Sequence, residues 1–543
     1  VTKLRAAIVS TAVLLAVLGS APAPAAAAVV PDVTSIDFGT GTLGQAGSPR
    51  TVTMTADGPL PSQMDQASIT DPGSDVPLSF SISADTCSGT TLAVGGTCTV
   101  TILPRAAATG AQGAYLLLTE VGGEETWIEL TLTGVAGVTG TYRQITPTRI
   151  LDTRFGIGAP KAPIGPGGTL GLPVLGRGGV PGDSVSAVVL NVTVTGPTSA
   201  GFVTVFPHGV IRPYASSLNF PAGWTGANSV TVGIGTDGKV DFFNSAGSTG
   251  VIADVMGYYL TATGDGAGAG EFFPTVPQRV LDTRSEPGYR LGGQESIYVP
   301  LSFGVDNRRI KAFAVTITAV SPLAAGYLTA WSGANGPIPG TSTLNFTTGT
   351  TVANMAIVPT SICLFHGGCI DKAMIGIYNG SAKGVHVLVD LVGVYDDGTL
   401  GGGLRFQPQT PTRIVDTRVG IGSGPFGPGF TRTLSASPVA IYNTVALAAN
   451  VTAIVPSAAT FLTLWPALDG VGRPGVSNLN PAAGQTVANA AVVQIGPTEE
   501  FKVFNQAGLI DIAIDVVGTF FDPSAGQQGS LRRSLAPVRV DRP

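Results

Sequence analysis

Three copies of one short sequence constrain this chain more than any other feature. Arg149-Ile150-Leu151-Asp152-Thr153-Arg154 returns as Arg279-Val280-Leu281-Asp282-Thr283-Arg284, and again as Arg413-Ile414-Val415-Asp416-Thr417-Arg418. Each copy opens a long segment, 142–260, 272–395 and 406–521, in which the same run of short strands recurs. A repeat at a fixed long period means units built to one plan. Each of these units is long enough to bury a core of its own.

Inside the first unit, Ala187-Val188-Val189-Leu190-Asn191-Val192-Thr193-Val194 is matched by Ala312–Thr318 and by Ala446–Thr452. After a Pro-containing turn come Gly201–Phe206, Ser217–Phe220 and Asn228–Val232, then Val240–Asn244 and Val251–Tyr259. β-branched runs punctuated by Gly, Pro and Asn turns predict an all-β fold, with each unit a β-sandwich. Glycine-rich stretches, 263–270 and 397–403, separate the units. Segments of that composition behave as flexible coil. The expectation is therefore three beads on a string, with a closed three-module arrangement as the structural alternative.

Residues 31–137 precede the repeats. Their short alternating strands, among them Ser79–Ile82, Cys98–Ile102 and Trp127–Leu132, predict an Ig-like β-sandwich. The segment Asp85-Thr86-Cys87-Ser88-Gly89 followed by Leu92–Val100 resembles the Ig-like domains of the ASPM/SPD-2/Hydin type found in bacterial surface proteins. That resemblance implies a spacer or interaction module and brings no catalytic residues. The three repeats resemble uncharacterised modules with an Arg-[Ile/Val/Leu]-Leu-Asp-Thr-Arg signature in secreted proteins of the actinobacterial type. There the modules are surface elements, sometimes attached to cell-wall hydrolases. The second repeat departs from the pattern: Thr316 stands where the others have Asn191 and Asn450, and Cys363 and Cys369 sit in an inserted loop.

The N-terminus reads as a secretory signal. Lys3 and Arg5 precede the apolar run Ala6–Leu18, and Ala26-Ala27-Ala28 offers a cleavage site, so residues 1–28 are expected to be removed. Residues 522–543 are expected to form a disordered tail without a hydrophobic anchor. The chain should be secreted or surface-associated, without stable membrane insertion. In that compartment the local pairs Cys87/Cys98 and Cys363/Cys369 favour disulfides over a metal site. Charged residues make up only 12% of 543 and the net charge is −5, which argues against a nucleic-acid partner.

Two acids and two bases recur in every repeat. Strand alternation should place Asp152 and Arg154 on one face and Arg149 on the other. Asp254, like Asp390 and Asp515, lies in an apolar run where a bare carboxylate is costly. It should meet Arg149 or Arg154 across neighbouring strands and clamp the first strand of the repeat to its last, a structural ion-pair network. The competing reading is a glycosidase-like carboxylate pair. Arginines beside each acid would instead keep both ionised. The three histidines, His208, His366 and His386, fall at non-equivalent positions, so no triad recurs. No cofactor or metal motif is present.

The strongest binding signal is aromatic. Phe202/Phe206, Tyr327/Trp331 and Phe461/Trp465 align, each pair flanking a threonine on one strand face, with Asn219, Asn345 or Asn480 nearby. Exposed, such rings could stack on sugars; buried, they are core. Asn228, Asn354, Asn489 and Asn244, Asn379, Asn505 are expected to satisfy backbone groups at turns. The sequence thus predicts a non-enzymatic exported protein that binds or adheres through repeated β-modules, with cell-wall or extracellular polysaccharide, or another surface protein, as partner. A purely structural stalk or scaffold is the alternative, and a glycan-acting hydrolase a lesser one.

Overall fold

A computed structural model describes residues 29–42, 47–70, 79–104, 106, 110–135, 140–261, 269–285, 288–334, 337–364, 367–441, 443–523 and 537–539. The secretory segment 1–28 lies outside them. The described residues are strands and turns, with three short 3-10 turns as the helical content. Among them no helix is long and apolar enough to cross a membrane.

The chain divides into two compact units. The first holds the strands from Val29 to Leu132, arranged as a four-stranded and a five-stranded antiparallel sheet. Strand alternation explains this unit: in Thr97–Pro104, Cys98, Val100, Ile102 and Pro104 point inward and the threonines outward. Cys87 and Cys98 form a disulfide within it.

The second unit contains all three repeats. Each is a two-layer sandwich. In the first repeat one sheet runs in the order Tyr142–Asp152, Gly250–Leu260, Val185–Thr195, Thr225–Gly233, and the other in the order Thr169–Pro173, Lys239–Asn244, Gly201–Pro207, Leu218–Phe220. The other repeats follow the same order, the third with a three-stranded second sheet. Each sandwich has its own core. The second disulfide joins Cys363 and Cys369 in repeat 2.

The repeats are not beads on a string. A fourth core is shared by all three, and the first sheet of each repeat supplies it. The reason lies in the central strand. Val188, Leu190, Val192 and Val194 pack into the repeat's own sandwich, whereas Ala187 and Val189 face the shared core. A strand buried on both faces reads as a near-continuous apolar run, as Ala187–Leu190 does, and small residues at Ala187, Ala312, Ala314, Ala446 and Ala448 let the sheets approach closely.

Six aromatic rings close the shared core, two from each repeat. Tyr142 stacks on Tyr395 at 4.6 Å, Tyr395 on Phe272 at 4.9 Å, and Phe272 on Phe520 at 4.6 Å. Phe520 then meets Phe406 at 5.1 Å, Phe406 meets Tyr259 at 4.3 Å, and Tyr259 returns to Tyr142 at 5.1 Å. The ring of contacts alternates first-strand and last-strand residues and has no end. The two buried hydroxyls of Tyr259 and Tyr395 lie 2.6 Å apart and satisfy one another.

The connecting stretches join the same closed arrangement. Tyr142 bridges Gly270 and Phe272 bridges Leu404. Phe406 N donates to Gly140 O at 2.9 Å, which completes the cycle. The second glycine-rich stretch, expected to be coil, is held by Gly403 N donating to Glu271 Oε2 at 3.0 Å and Leu400 N donating to Asp396 Oδ2 at 2.9 Å. Most of the first stretch, 263–268, lies outside the described residues. In the tail, Val538–Arg539 pairs with Leu301–Ser302 as a short extra strand, and 524–536 and 540–543 are outside the described residues.

Candidate binding clefts between the repeats

The signature arginines and aspartates form the same network three times. Arg149 and Asp254 are register partners on neighbouring strands. Arg149 Nε donates to Asp254 Oδ1 at 2.9 Å and Nη2 to Oδ2 at 3.2 Å. Arg279 grips Asp390 at 2.7 and 3.0 Å, and Arg413 grips Asp515 at 2.7 and 2.9 Å. The first strand of each repeat is thereby tied to its last. The second arginine of each signature holds its own aspartate: Arg154 to Asp152 at 2.7 Å, Arg284 to Asp282 at 2.6 Å, Arg418 to Asp416 at 2.6 Å.

Simple alternation does not hold along the signature. The register slips between Arg149 and Leu151, and likewise in the other repeats. A bulge of this kind adds a residue to one strand and re-aims side chains. Arg149 and Asp152 therefore meet, at 3.5 Å, instead of pointing to opposite faces; Arg413 and Asp416 meet at 3.0 Å.

The two sets of acids have opposite character. The arginine two residues on holds Asp152, Asp282 and Asp416 below the usual carboxylate range. Burial pushes Asp254, Asp390 and Asp515 up, against the pull of Arg149, Arg279 and Arg413. The expectation that arginine alone would decide the charge state overlooked desolvation, which disfavours a charged carboxylate. None of the six acids lines any of the clefts described below.

The asparagines divide into two groups. Asn244, Asn379 and Asn505 do serve turns; Asn244 Nδ2 donates to Ile164 O, Gly165 O and Gly247 O. Asn228, Asn354 and Asn489 lie within strands and join repeats. Asn354 Nδ2 donates to Asn191 Oδ1 at 3.1 Å, and Ser229 N donates to Asn354 Oδ1 at 3.1 Å. Asn228 Nδ2 donates to Asn450 Oδ1 at 2.8 Å, and Met355 N donates to Asn489 Oδ1 at 3.1 Å. These partners lie more than 100 residues apart, so local sequence offered no sign of them. The buried acids join the same contacts: Ser216 N of repeat 1 donates to Asp515 Oδ2 of repeat 3 at 3.2 Å.

The aromatic strand faces are not platforms. Phe206, Trp331 and Trp465 are 3%, 6% and 3% exposed. Only Phe202, Tyr327 and Phe461 reach the surface, Tyr327 at 38%. Two of these three, Phe461 and Phe202, line clefts between repeats.

The cleft between repeats 2 and 3 has a volume of about 350 Å³. Arg279, Arg284 and Thr318 form one wall; Arg473, Phe461 and Asn480 form the other. Between repeats 3 and 1 lies its counterpart, about 270 Å³, with Arg413, Arg418 and Thr452 facing Arg212, Phe202 and Asn219. The residues match position for position along the repeats. Each loop arginine is seated on an equivalent ring: Arg212 over Phe243 at 4.2 Å, Arg473 over Phe504 at 3.7 Å.

All three repeats build a third, larger cup of about 710 Å³. Trp224 comes from repeat 1, Asn345 and Phe346 from repeat 2, Phe461, Asn480 and Gln485 from repeat 3. Among the described residues no charged one lines it. It shares Thr351, Phe461 and Asn480 with the cleft between repeats 2 and 3.

Other chemistry is sparse. His208 Nδ1 lies 2.7 Å from Asp241 Oδ1, His386 contacts Thr283, and His366 is outside the described residues. Among the described residues no cluster of His, Cys, Asp and Glu could hold a metal ion.

No protein-family model matches the chain, and no curated protein matches it. Solved structures give faint likenesses. The VesB protease of Vibrio cholerae is 22% identical over 19% of this chain and 31% of its own, with a TM-score of 0.16. The secreted serine protease VesC of Vibrio cholerae is 13% identical over 41% and 49%, also at 0.16. A protein of Sulfolobus turreted icosahedral virus is 10% identical over 70% and 91%, at 0.14. The chain thus spans less than half of the two Vibrio proteins it matches, and likenesses of this size carry no argument about what it does.

Proposed function

We propose that the protein is an exported, non-enzymatic surface or cell-envelope protein whose three repeats act together as one rigid binding body, with cell-wall polysaccharide as its ligand class. The observation that carries the reading is the neutral cup. Aromatic rings beside amides and hydroxyls, without charge, match the alternating apolar faces and hydroxyl edges of sugar rings. Its walls come from three repeats that share one core, so the site is fixed before a ligand arrives, which lowers the cost of binding. The two disulfides fit an extracellular setting. The six recurring acids are held in arginine pairs and line none of the clefts described above, which supports a structural role for them.

The burial of Phe206, Trp331 and Trp465 favours a second reading, a structural scaffold with no glycan ligand. Co-sedimentation with purified peptidoglycan and insoluble polysaccharides separates the two. The binding reading expects pelleting that weakens in Trp224→Ala and Phe461→Ala while thermal unfolding stays cooperative. Absence of pelleting with every polymer would leave the scaffold.

A further inference from the structure

We infer that the two arginine-walled clefts are anion subsites, taking the carboxylate or phosphate groups of an anionic envelope polymer whose uncharged portions lie in the adjoining cup. This deepens the binding reading above and rests on it. Each cleft gathers three guanidinium groups, two from a signature and one from the next repeat's loop. Two carboxylates behind the wall neutralise each signature pair: Asp282 and Asp390 for one cleft, Asp416 and Asp515 for the other. Among the described residues no carboxylate within salt-bridge distance answers Arg473 or Arg212. Each cleft therefore carries an excess of one positive charge, in a chain whose net charge is −5.

A second observation points independently to a ligand. Thr318 and Thr452 are equivalent residues, buried to within 1%. Each lines one of the two clefts, and the hydroxyl of each has no hydrogen-bond partner. Asn480 adds an amide Nδ2 in the same condition. Buried polar groups are normally satisfied, and here the unsatisfied threonine hydroxyl recurs at the same place in two clefts. An oxyanion seated there would accept from the threonine hydroxyl and from the guanidinium edges together. The arginines are already oriented, by the aspartates on one side and by Phe243 or Phe504 on the other, so little ordering is left to the ligand.

The third interface differs in sequence. Ile338 stands where Arg212 and Arg473 stand in the other repeats. Two anion subsites per chain are therefore expected, and a polymer that reaches both gains by avidity.

The test is binding of the full chain to polygalacturonate, to poly(glycerol phosphate) and to neutral dextran, at low and at physiological salt. Arg212 and Arg473 are exposed loop residues, so the double variant Arg212→Ala/Arg473→Ala should unfold at the wild-type temperature. The expected result is salt-sensitive binding of a polyanion, with apparent affinity reduced about 100-fold in the double variant. Preference for one polyanion identifies the group as carboxylate or phosphate. Ile338→Arg should strengthen binding. The inference is overturned if wild type binds neither polyanion, or if the double variant binds as well as wild type. If it fails while peptidoglycan or neutral polysaccharide is still pelleted through Trp224 and Phe461, the binding reading stands without it. If nothing is pelleted and no polyanion binds, both fall.

Discussion

Gly518 offers the sharpest test of the shared aromatic core. It lies on the last strand of repeat 3, paired with Pro408 on the first strand, directly beneath the Phe406 ring. A methyl group there would overlap that ring and sit 2.6 Å from the carbonyl oxygen of Gln407. The ring has little room to yield, because Tyr259 and Phe520 hold it at 4.3 and 5.1 Å. Gly257 beneath Tyr142 and Gly393 beneath Phe272 are built alike. In an unobstructed strand, Gly→Ala would stabilise by about 0.4–1 kcal/mol through the unfolded chain. Overpacking costs about 1–3 kcal/mol, and the backbone carbonyl places Gly518→Ala toward the upper end. Denaturant unfolding of the full chain should therefore show net destabilisation of the repeat body by about 2 kcal/mol. Phe406→Ala alone should cost about 3–5 kcal/mol. In its background the clash with the ring is gone and the carbonyl contact remains, so the two substitutions should couple by about 1 kcal/mol or more. A neutral or stabilising Gly518→Ala, or additivity within about 0.5 kcal/mol, would refute the reasoning that this ring is locked.

Three further outcomes are expected. Asp390→Ala leaves Arg279 without its bidentate partner and should destabilise the repeat body by about 3–5 kcal/mol in chemical denaturation; a loss under about 1 kcal/mol, the level of a surface pair, would show that the pair is screened. Asp416 titrates below the usual range because Arg418 holds its charged form, so its stabilisation is present above the unfolded-state pKa and disappears as pH falls through the depressed value. The stability gap between wild type and Asp416→Asn should accordingly be largest at neutral pH and close in strong acid, and a gap that widens on acidification would reverse the assigned sign. Replacing Cys87 and Cys98 by Ser should lower the stability of the N-terminal unit by about 2–3 kcal/mol, given a sequence separation of 11, and leave the unfolding of the repeat body unchanged in calorimetry.

Much of the local structure was legible in the residues. β-branched runs between Gly, Pro and Asn favour strand over helix, and Tyr142, Phe272 and Phe406 stand at or within one residue of the start of the first strand of each repeat. An aspartate inside an apolar strand demanded a cation, and the recurring arginines were the available ones. The alternation argument failed at the signature because one bulge reverses a two-residue period, and nothing in Arg-Ile-Leu-Asp marks a bulge. The aromatic pairs were ambiguous because packing in a core and stacking on a ligand ask for the same side chains. One signal was present and misjudged. The stretch Ala187-Val188-Val189-Leu190 is apolar on both faces, which already states that this part of the sheet is covered twice.

A chain of β-sandwiches, three of them built to one plan and each tied from first strand to last by arginine and aspartate, follows from the residues alone. Those are consequences of local preference and of pairing within about 120 residues. That the three close on one another, that Asn191 answers Asn354 and Asn228 answers Asn450, and that Arg473 and Arg212 face the signatures of other repeats emerges in the folded chain alone. Such contacts depend on which exposed face finds which partner. That is a matter of shape and burial across the whole chain, and no single stretch of residues encodes it.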